Sequence, residues 1–145
     1  MNCPKCEVAL QEYEYKGIDV EKCTNCEGMW FDYQELDELE DVEFSIDELK
    51  GSLIHRPEAV QIKCPHCGKT LKSFQYRLYD LHLEYCEDLH GFWLDAGEEK
   101  QVMSVMAQRE KDMNRKFKAE AEWAKTLKQF RRKSFLDQLK NMFSK

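Results

Sequence analysis

Seven cysteines and one histidine in this 145-residue chain have the spacing of metal ligands. The first set consists of two CxxC pairs, separated by 16 residues, and its members are Cys3, Cys6, Cys23 and Cys26. Two such pairs at the ends of a short segment let four thiolates converge on one ion. Four thiolates are typical of a closed, tetrahedral structural zinc site. Iron binds the same ligand set, so the spacing alone leaves that metal open, and zinc is the prediction.

A second set repeats this arrangement with one ligand changed. Cys64, Cys67 and Cys86 correspond to the first three cysteines, but Leu89 stands at the position of the fourth. His90 follows directly, and an imidazole reaches further than a thiol, so one extra residue can be absorbed. The sequence therefore predicts His90 as the fourth ligand and a second zinc ion at this set.

Three alternatives to this second site follow from the same residues. The imidazole could come from His66 or His82 instead. The site could be degenerate and bind no metal, with aromatic residues holding its hairpin together. Three ligands and a water could also leave an open position, which would permit Lewis-acid chemistry. A catalytic site also needs an acid or base in a pocket, and units this small leave little room for one, so no catalytic residue is predicted.

Two β-hairpins are expected to position the ligand sets. Residues 8–15 and 18–22 read as strands that are joined by a turn at Gly17, so a hairpin leads from the first CxxC pair to the second. The second unit repeats this plan with two more residues in its turn, near Asp80. In both units the turn lies at the end of the hairpin opposite the ligands, where an insertion disturbs the site least.

Each unit ends with a signal for a short helix. Asp32 and Glu35 have the spacing of a capping box, and Asp95 and Glu98 repeat it. Helix capping explains these carboxylates more simply than acid–base catalysis does. The tryptophans that precede them, at equivalent positions beside the two sites, are predicted to be core residues rather than platforms for stacked bases.

Metal binding has to replace a hydrophobic core in units this small. Each cysteine-bounded unit has about 35 residues, below the roughly 40 at which a fold usually needs a metal, disulfides or a partner. The CxxC grouping and the odd number of cysteines argue against a disulfide framework. No secretory signal and no run of about 18 apolar residues is visible. A cytoplasmic location is therefore expected.

Charge and composition set the C-terminal third apart. Residues 1–100 contain 10 Lys and Arg against 23 Asp and Glu, whereas residues 101–145 contain 12 against 5. From Glu98 onward there is no Pro or Gly, which predicts one long helix to about Lys133, with a break near Ser134 before a last short helix. The chain thus has an acidic, metal-binding head and a basic, amphipathic tail.

Both units resemble the zinc ribbon of the transcription factor IIB type, which occurs in small bacterial and archaeal proteins. That family has CPxC, a hairpin and then CxxCxGxWxDxxE. The first unit matches it at residues 3–6 and 23–35, and the second matches at residues 64–67 and 86–98 except at Leu89. The resemblance covers about half of the chain and implies a metal-binding ribbon. Ribbons of this kind contact nucleic acid, polymerases or other proteins.

The expected fold is a small, metal-stabilised α+β protein. It has two tandem zinc ribbons, each a β-hairpin with a short helix, and a long C-terminal helix. The predicted segments are a first ribbon at 1–40, an acidic connector with short helical turns at 41–60, a second ribbon at 61–99 and a helical tail at 100–145.

The expected function is that of a non-enzymatic, zinc-binding interaction or adaptor module. Its ribbons present rigid surfaces and its tail docks on a partner, which we expect to be a protein. Nucleic acid, in transcription or on the ribosome, is the first alternative through the basic residues of 109–145, although the acidic head would be repelled by phosphates. Attachment of residues 131–145 to a membrane surface is a second alternative. The same edge could instead pack onto the chain's own ribbons or pair in a homodimer.

Overall fold

The computed structural model of the chain describes residues 1–46 and 52–144. Its contacts divide the chain into two compact units, Met1–Arg109 and Glu110–Lys145. The first unit contains every described strand and both predicted ligand sets. The second is helical.

The first ribbon is a three-stranded meander followed by a helix. Its elements are β1 (Gln11–Tyr15), β2 (Ile18–Lys22), β3 (Met29–Phe31) and α1 (Tyr33–Asp41). The turn between β1 and β2 places Lys16 and Gly17 at φ 51° and 80°, the left-handed region that glycine adopts at low cost. Strand β1 is shorter than predicted because Val8 belongs to the ligand loop, where its carbonyl accepts the Cys3 N–H at 2.8 Å.

The capping box predicted for α1 is confirmed. Asp32 is the N-cap residue, and its Oδ1 accepts the Glu35 N–H at 2.7 Å. In return, Glu35 Oε2 accepts the Asp32 N–H at 2.8 Å. These two bonds satisfy donors that a helix start leaves without intrahelical partners. The helix packs against β2 and β3 and buries Leu36 and Leu39.

The second ribbon repeats the meander and adds a strand before it. Its elements are β4 (Ile54–Lys63), β5 (Thr70–Tyr76), β6 (His82–Tyr85) and β7 (Phe92–Leu94). The predicted acidic connector at 41–60, with one or two short helical turns, overlaps β4, because residues 54–60 pair with β5. Apolar residues on β4 pack beside the metal-binding loops, and this contact favours a strand over the local helix signals. Residues 47–51, which carry one of those signals, lie outside the described ranges.

The two ribbons share one antiparallel sheet. Its strand order is β1-β2-β3-β7-β6-β5-β4, so β3 of the first ribbon pairs directly with β7 of the second. In this pairing Trp30 lies opposite Trp93, which is its own counterpart in the repeat. Corresponding strands therefore meet about an approximate two-fold axis, as the two halves of a symmetric dimer would. The two copies of the repeat therefore form an interface with each other within one chain.

The core lies at this junction. Trp30 and Trp93 are 1% and 0% exposed, so the prediction that both tryptophans are core residues is confirmed. They belong to one buried cluster that also includes the first cysteine of each of the four ligand pairs. Its members are Cys3, Cys23, Trp30, Cys64, Leu71, Cys86 and Trp93. Four of its seven members are ligand cysteines, so this cluster depends on what the thiols bind, whereas Phe31, Phe74 and Phe92 are buried outside it.

A buried ion pair connects α1 to the second ribbon. The Arg77 guanidinium donates from Nη2 to both carboxylate oxygens of Glu40 at 3.0 Å, and the two side chains are 5% and 4% exposed. The Tyr76 hydroxyl also donates to Glu40. Burial, followed by the charge of Glu40, raises the pKa of Tyr76. A charged pair enclosed in this way requires both partners, since either charge alone would be left desolvated.

The C-terminal helix, α2, runs from Glu98 to Phe143 without interruption. The predicted break near Ser134 is wrong, because that segment contains no residue that stops a helix and a single serine costs little inside one. In the first unit, α2 buries Val102 and Met106. Across the described residues, every helix is too short or too polar to cross a bilayer. The predicted fold class, mixed α and β with a long C-terminal helix and two cysteine clusters, is confirmed.

Candidate metal centres

The first predicted ligand set forms a compact cluster, which we call site one. The thiols of Cys3, Cys6, Cys23 and Cys26 all lie within 4.8 Å of one another. The first pair lies on the loop before β1, and the second pair lies on the loop between β2 and β3. The hairpin β1–β2 thus brings both loops to the same end of the sheet, as the sequence predicted.

Backbone and amide N–H groups surround the sulfur atoms of site one. The Cys6 N–H donates to Cys3 Sγ at 3.3 Å, and the N–H groups of Asn25 and Cys26 donate to Cys23 Sγ at 3.4 and 3.5 Å. Burial acts to raise the pKa of Cys23, but the N–H groups of Cys26 and Asn25 outweigh it and lower this pKa to about 7, whereas burial raises the pKa of Cys26 to about 12. The N–H groups thus stabilise a thiolate, the form that binds a metal, at Cys23.

The second predicted set forms site two. Cys64, Cys67, Cys86 and His90 each place one ligand atom within 4.8 Å of the others. His90 Nδ1 is 3.8 Å from Cys64 Sγ and 3.4 Å from Cys86 Sγ, and the Sγ atoms of Cys67 and Cys86 are 3.6 Å apart. The N–H of Lys69 lowers the pKa of the Cys67 thiol to about 7.

Leu89 is accommodated by a turn in the backbone. It has φ 63°, in the left-handed region, and its side chain is 69% exposed. Because Leu89 turns outward, the next residue, His90, faces the sulfur atoms. Of the other histidines, His66 stacks on His90 with 5.4 Å between the ring centroids, whereas His82 lies exposed on β6. Of the imidazoles of His66, His82 and His90, that of His90 lies within the cluster of site two.

Both clusters have the dimensions of a tetrahedral zinc site. Zinc–sulfur bonds of about 2.3 Å put two sulfurs about 3.8 Å apart, and a sulfur and an imidazole nitrogen about 3.5 Å apart. The Cys3–Cys26 sulfur distance is 3.7 Å, and the distances in site two are of the same size. Cys₄ and Cys₃His are ligand sets of structural zinc, in which the four protein ligands fill the coordination sphere. The residues present therefore fit the ion.

A third group of ligand-type side chains lies on the second ribbon and at the start of α2, and two of its members take part in hydrogen bonds or an ion pair. Glu84, Asp95 and Glu98 approach one another within 4.8 Å. The Lys5 ammonium pairs with Asp95, which also accepts the Trp93 Nε1–H at 2.9 Å, while the Asp95 N–H donates to Glu98 at 2.7 Å. Burial raises the pKa of Glu98 to about 7. The capping-box spacing of Asp95 and Glu98 was visible in the sequence, but the ion pair between Lys5 and Asp95 was not.

The geometry of site two leads to a prediction for His90. In the His90→Ala variant one of four ligands is lost, and we expect affinity for Co²⁺ at site two to fall by about 100-fold or more, since each metal ligand contributes several kcal/mol. Cobalt absorption bands report thiolate and imidazole ligands, so a titration of the Cys6→Ser background, which weakens site one, measures site two directly.

His82→Ala is the matched control for this experiment. It removes an exposed imidazole from the same ribbon and should leave cobalt affinity within about twofold. Equal affinities in the His90→Ala variant and the control would show that His90 is not a ligand.

Comparison with known families agrees with this geometry for the first ribbon. Residues 2–42 match the model of the TFIIB-type zinc ribbon family, described as a transcription factor zinc-finger. The matched range is less than a third of the chain and includes all four ligands of site one. No curated protein and no solved structure matches the chain. The resemblance drawn from the motifs is thus confirmed for the first ribbon: residues 2–42 are similar to the transcription factor zinc-finger family and form a zinc-binding module.

Proposed function

We propose that this chain is a non-enzymatic interaction protein in which two zinc-stabilised ribbons form a rigid head and the helical tail docks on a partner protein. One observation supports the docking role: the tail exposes large apolar side chains along its length. The ribbons contribute stability, and each binds one zinc ion through four protein ligands. A closed ligand set of this kind is typical of structural rather than catalytic zinc.

Large apolar side chains of the second unit, Glu110–Lys145, are exposed to solvent. Among the described residues, those at least 43% exposed are Phe117, Trp123, Leu127, Phe130, Phe135, Leu136, Met142 and Phe143. The first four fall within an arc of about 140° at the 100° per residue of an α-helix. Aromatic residues along one side of a helix are typical of a segment that lies in the groove of another protein. Several large apolar side chains exposed close together on one surface are typical of an interaction site.

The net charge of the tail indicates which kind of partner surface would bind it. Residues 110–145 contain eleven Lys and Arg against five Asp and Glu, a net charge of +6, and residues 1–109 contain eleven against 23, a net charge of −12. A partner with an apolar groove rimmed by acidic side chains would match both the aromatic side and the charge of the tail. The same acidic partner would be repelled by the head, which leaves the tail as the docking element.

Nucleic acid is the second candidate because the tail is basic. Its Lys and Arg residues could neutralise phosphates, and binding would then fall steeply with salt. The head, with a net charge of −12, repels a polyanion and an acidic protein alike, so charge does not separate these two candidates. The exposed aromatic residues favour the protein partner, because phosphate contacts leave them unexplained. The tail's sequence also suits an anionic membrane surface, where the same aromatic and basic residues would lie in the interface.

A binding experiment with the full chain separates these proposals. Zinc-loaded protein is used to capture proteins from nuclease-treated extract at about 0.15 M and at about 0.5 M salt, and the captured proteins are counted by mass spectrometry. We expect Trp123→Ala/Phe130→Ala to reduce capture at both salt concentrations by about tenfold or more, because it removes two exposed aromatic anchors. Leu78→Ala is the matched control, since Leu78 is 61% exposed but lies on a ribbon turn.

Two defined probes complete the test: a duplex of about 20 base pairs and vesicles with about a third of anionic lipid. Capture that depends on the two aromatics, with no binding of the chain to either probe, supports the protein partner. Salt-sensitive binding to the duplex, or binding to vesicles, in the absence of such capture would replace the proposal with the corresponding alternative. No binding in any arm would overturn it.

A further inference from the structure

The glycine that follows each second ligand pair closes the loop that carries that pair. In site one the Cys23 N–H donates to the Gly28 carbonyl at 2.9 Å, and in site two the Cys86 N–H donates to the Gly91 carbonyl at 3.0 Å. Gly28 and Gly91 are counterparts in the repeat. Each glycine is therefore part of the backbone that is ordered when its own site binds a metal.

The side chain that lies against each glycine comes from the other ribbon. A Cβ at Gly28 would meet Cζ2 of Trp93 at 2.2 Å. A Cβ at Gly91 would meet the Phe31 carbonyl at 2.3 Å and Nε1 of Trp30 at 3.0 Å. Real Cβ atoms do not approach other atoms as closely as 2.2 or 2.3 Å, so both positions require the absence of a side chain. The ribbons thus interlock reciprocally, with each indole packed on the loop of the opposite site.

A second contact ties each tryptophan to the first ligand pair of the opposite site. Lys5 lies between Cys3 and Cys6, and it pairs with Asp95, which holds the Trp93 indole N–H. In the other direction, the ring of His66, between the first two cysteines of site two, lies 6.0 Å from the ring of Trp30. Lys5 and His66 are counterparts in the repeat. Both loops of each site are therefore linked to the tryptophan of the other ribbon, and the link from Lys5 to Trp93 runs through Asp95.

We propose that the two sites bind metal cooperatively through this reciprocal packing of Trp30 and Trp93. A metal at site one orders the loops on which Trp93 packs, and Trp93 is held in β7, next to the loop of site two. The converse holds for Trp30 in β3. When the first metal has already ordered the loops of the empty site, the second metal binds with a smaller loss of conformational entropy. Binding at one site then raises the affinity of the other, which is positive coupling. The inference rests on the proposed function in one respect, since it requires that both sites bind zinc.

Thermodynamic linkage makes the proposal quantitative. If metal at site one raises the affinity of site two by some factor, then metal at site two raises the affinity of site one by the same factor. Couplings between sites are typically about 5- to 150-fold. Because both tryptophans are at most 1% exposed and folding is itself linked to metal binding, we expect at least tenfold here.

Competition titrations with zinc and a chelator of known affinity measure this factor. Cys26→Ser disables site one and yields the affinity of site two alone, and Cys67→Ser yields the affinity of site one alone. We expect the product of the two affinities in the native chain to exceed the product of the single-site affinities by at least tenfold. Native mass spectrometry counts the ions bound at each step.

The route of the coupling is tested by Gly28→Ala. Gly28 does not have a positive φ, so alanine is excluded only by the Trp93 ring, and displacing that ring should lower the coupling factor toward one. Gly17→Ala is the control for backbone strain: alanine is strained there at φ 80°, but nothing lies within 4 Å of the added Cβ, so no tryptophan is displaced and the coupling factor should not change. Lys5→Met is a milder second variant, which removes the ion pair with Asp95 at a partly exposed position and should also lower the factor.

Each outcome decides a separate point. A native chain that binds two ions with a coupling factor near one overturns the cooperative inference and leaves the two-zinc proposal intact. A native chain that binds a single ion overturns the two-zinc proposal and the inference together. A large factor that neither Gly28→Ala nor Lys5→Met reduces shows that the coupling does not pass through the tryptophans, which also overturns the inference.

Discussion

Loss of metal from site one should unfold the first ribbon. We expect the amide resonances of residues 1–46 to collapse to unfolded positions in Cys23→Ser, because the remaining ligands bind zinc far more weakly. Binding of a structural zinc ion releases about 10–16 kcal/mol in comparable small units, which is similar in size to the whole stability of a typical domain, about 5–15 kcal/mol. The buried cluster around Trp30 is lost with the metal, since four of its seven members are ligand cysteines.

A chelator should have the same effect on the unmodified chain. Two-dimensional amide spectra recorded with and without chelator, and again after zinc is restored, measure the loss and its reversal. Helical circular dichroism should fall only in part, because most of α2 lies outside the ribbons. Thr24→Ala, an exposed change between two ligands, is the control and should leave the spectrum native. An unchanged spectrum in chelator would show that the ribbon folds without metal.

The second large effect concerns the buried pair of Glu40 and Arg77. We expect Arg77→Met to lower the free energy of unfolding of the zinc-loaded protein by about 3–5 kcal/mol, because it leaves a carboxylate that is 4% exposed without its guanidinium. Denaturant unfolding at constant zinc concentration, followed by tryptophan fluorescence, measures this change. Both tryptophans of the sheet lie in the core, so their emission reports the same transition.

Two further variants show whether the loss comes from the isolated charge. Lys72→Met removes a partner from the more exposed pair with Glu87 and should cost at most about 1 kcal/mol. Glu40→Leu combined with Arg77→Met removes both charges and should recover much of the stability lost in Arg77→Met. If the double variant is as unstable as the single one, packing rather than desolvated charge explains the loss.

The ligand sets could be predicted because the ligands of each site lie close together in the sequence. CxxC pairs bring two thiolates together within one turn, and a hairpin between two pairs brings all four to one end. The same local reasoning predicted the capping box at Asp32, which is a contact between residues three apart. His90 was within reach of the same reasoning because it is next to Leu89.

Reasoning from local patterns was wrong where distant contacts decide the structure. Residues 54–60 have turn and helix signals nearby, but they form a strand because β5 offers an edge with which to pair. A lone serine at position 134 looked like a helix start, yet the helix continues because nothing there stops it. Arg77 had no visible role in the sequence, since its partner lies 37 residues away on another element.

The sequence by itself determined two repeated metal-binding units, the residues that gather in each cluster and the basic, apolar character of the tail. Only the tertiary structure decided that the units share one sheet, with Trp30 opposite Trp93 and each indole on the other ribbon's glycine. The physical reason is that ligand spacing is a short-range property of each loop, whereas strand edges and buried aromatic faces can be satisfied by any complementary surface. Which surface they meet depends on the packing of the whole chain.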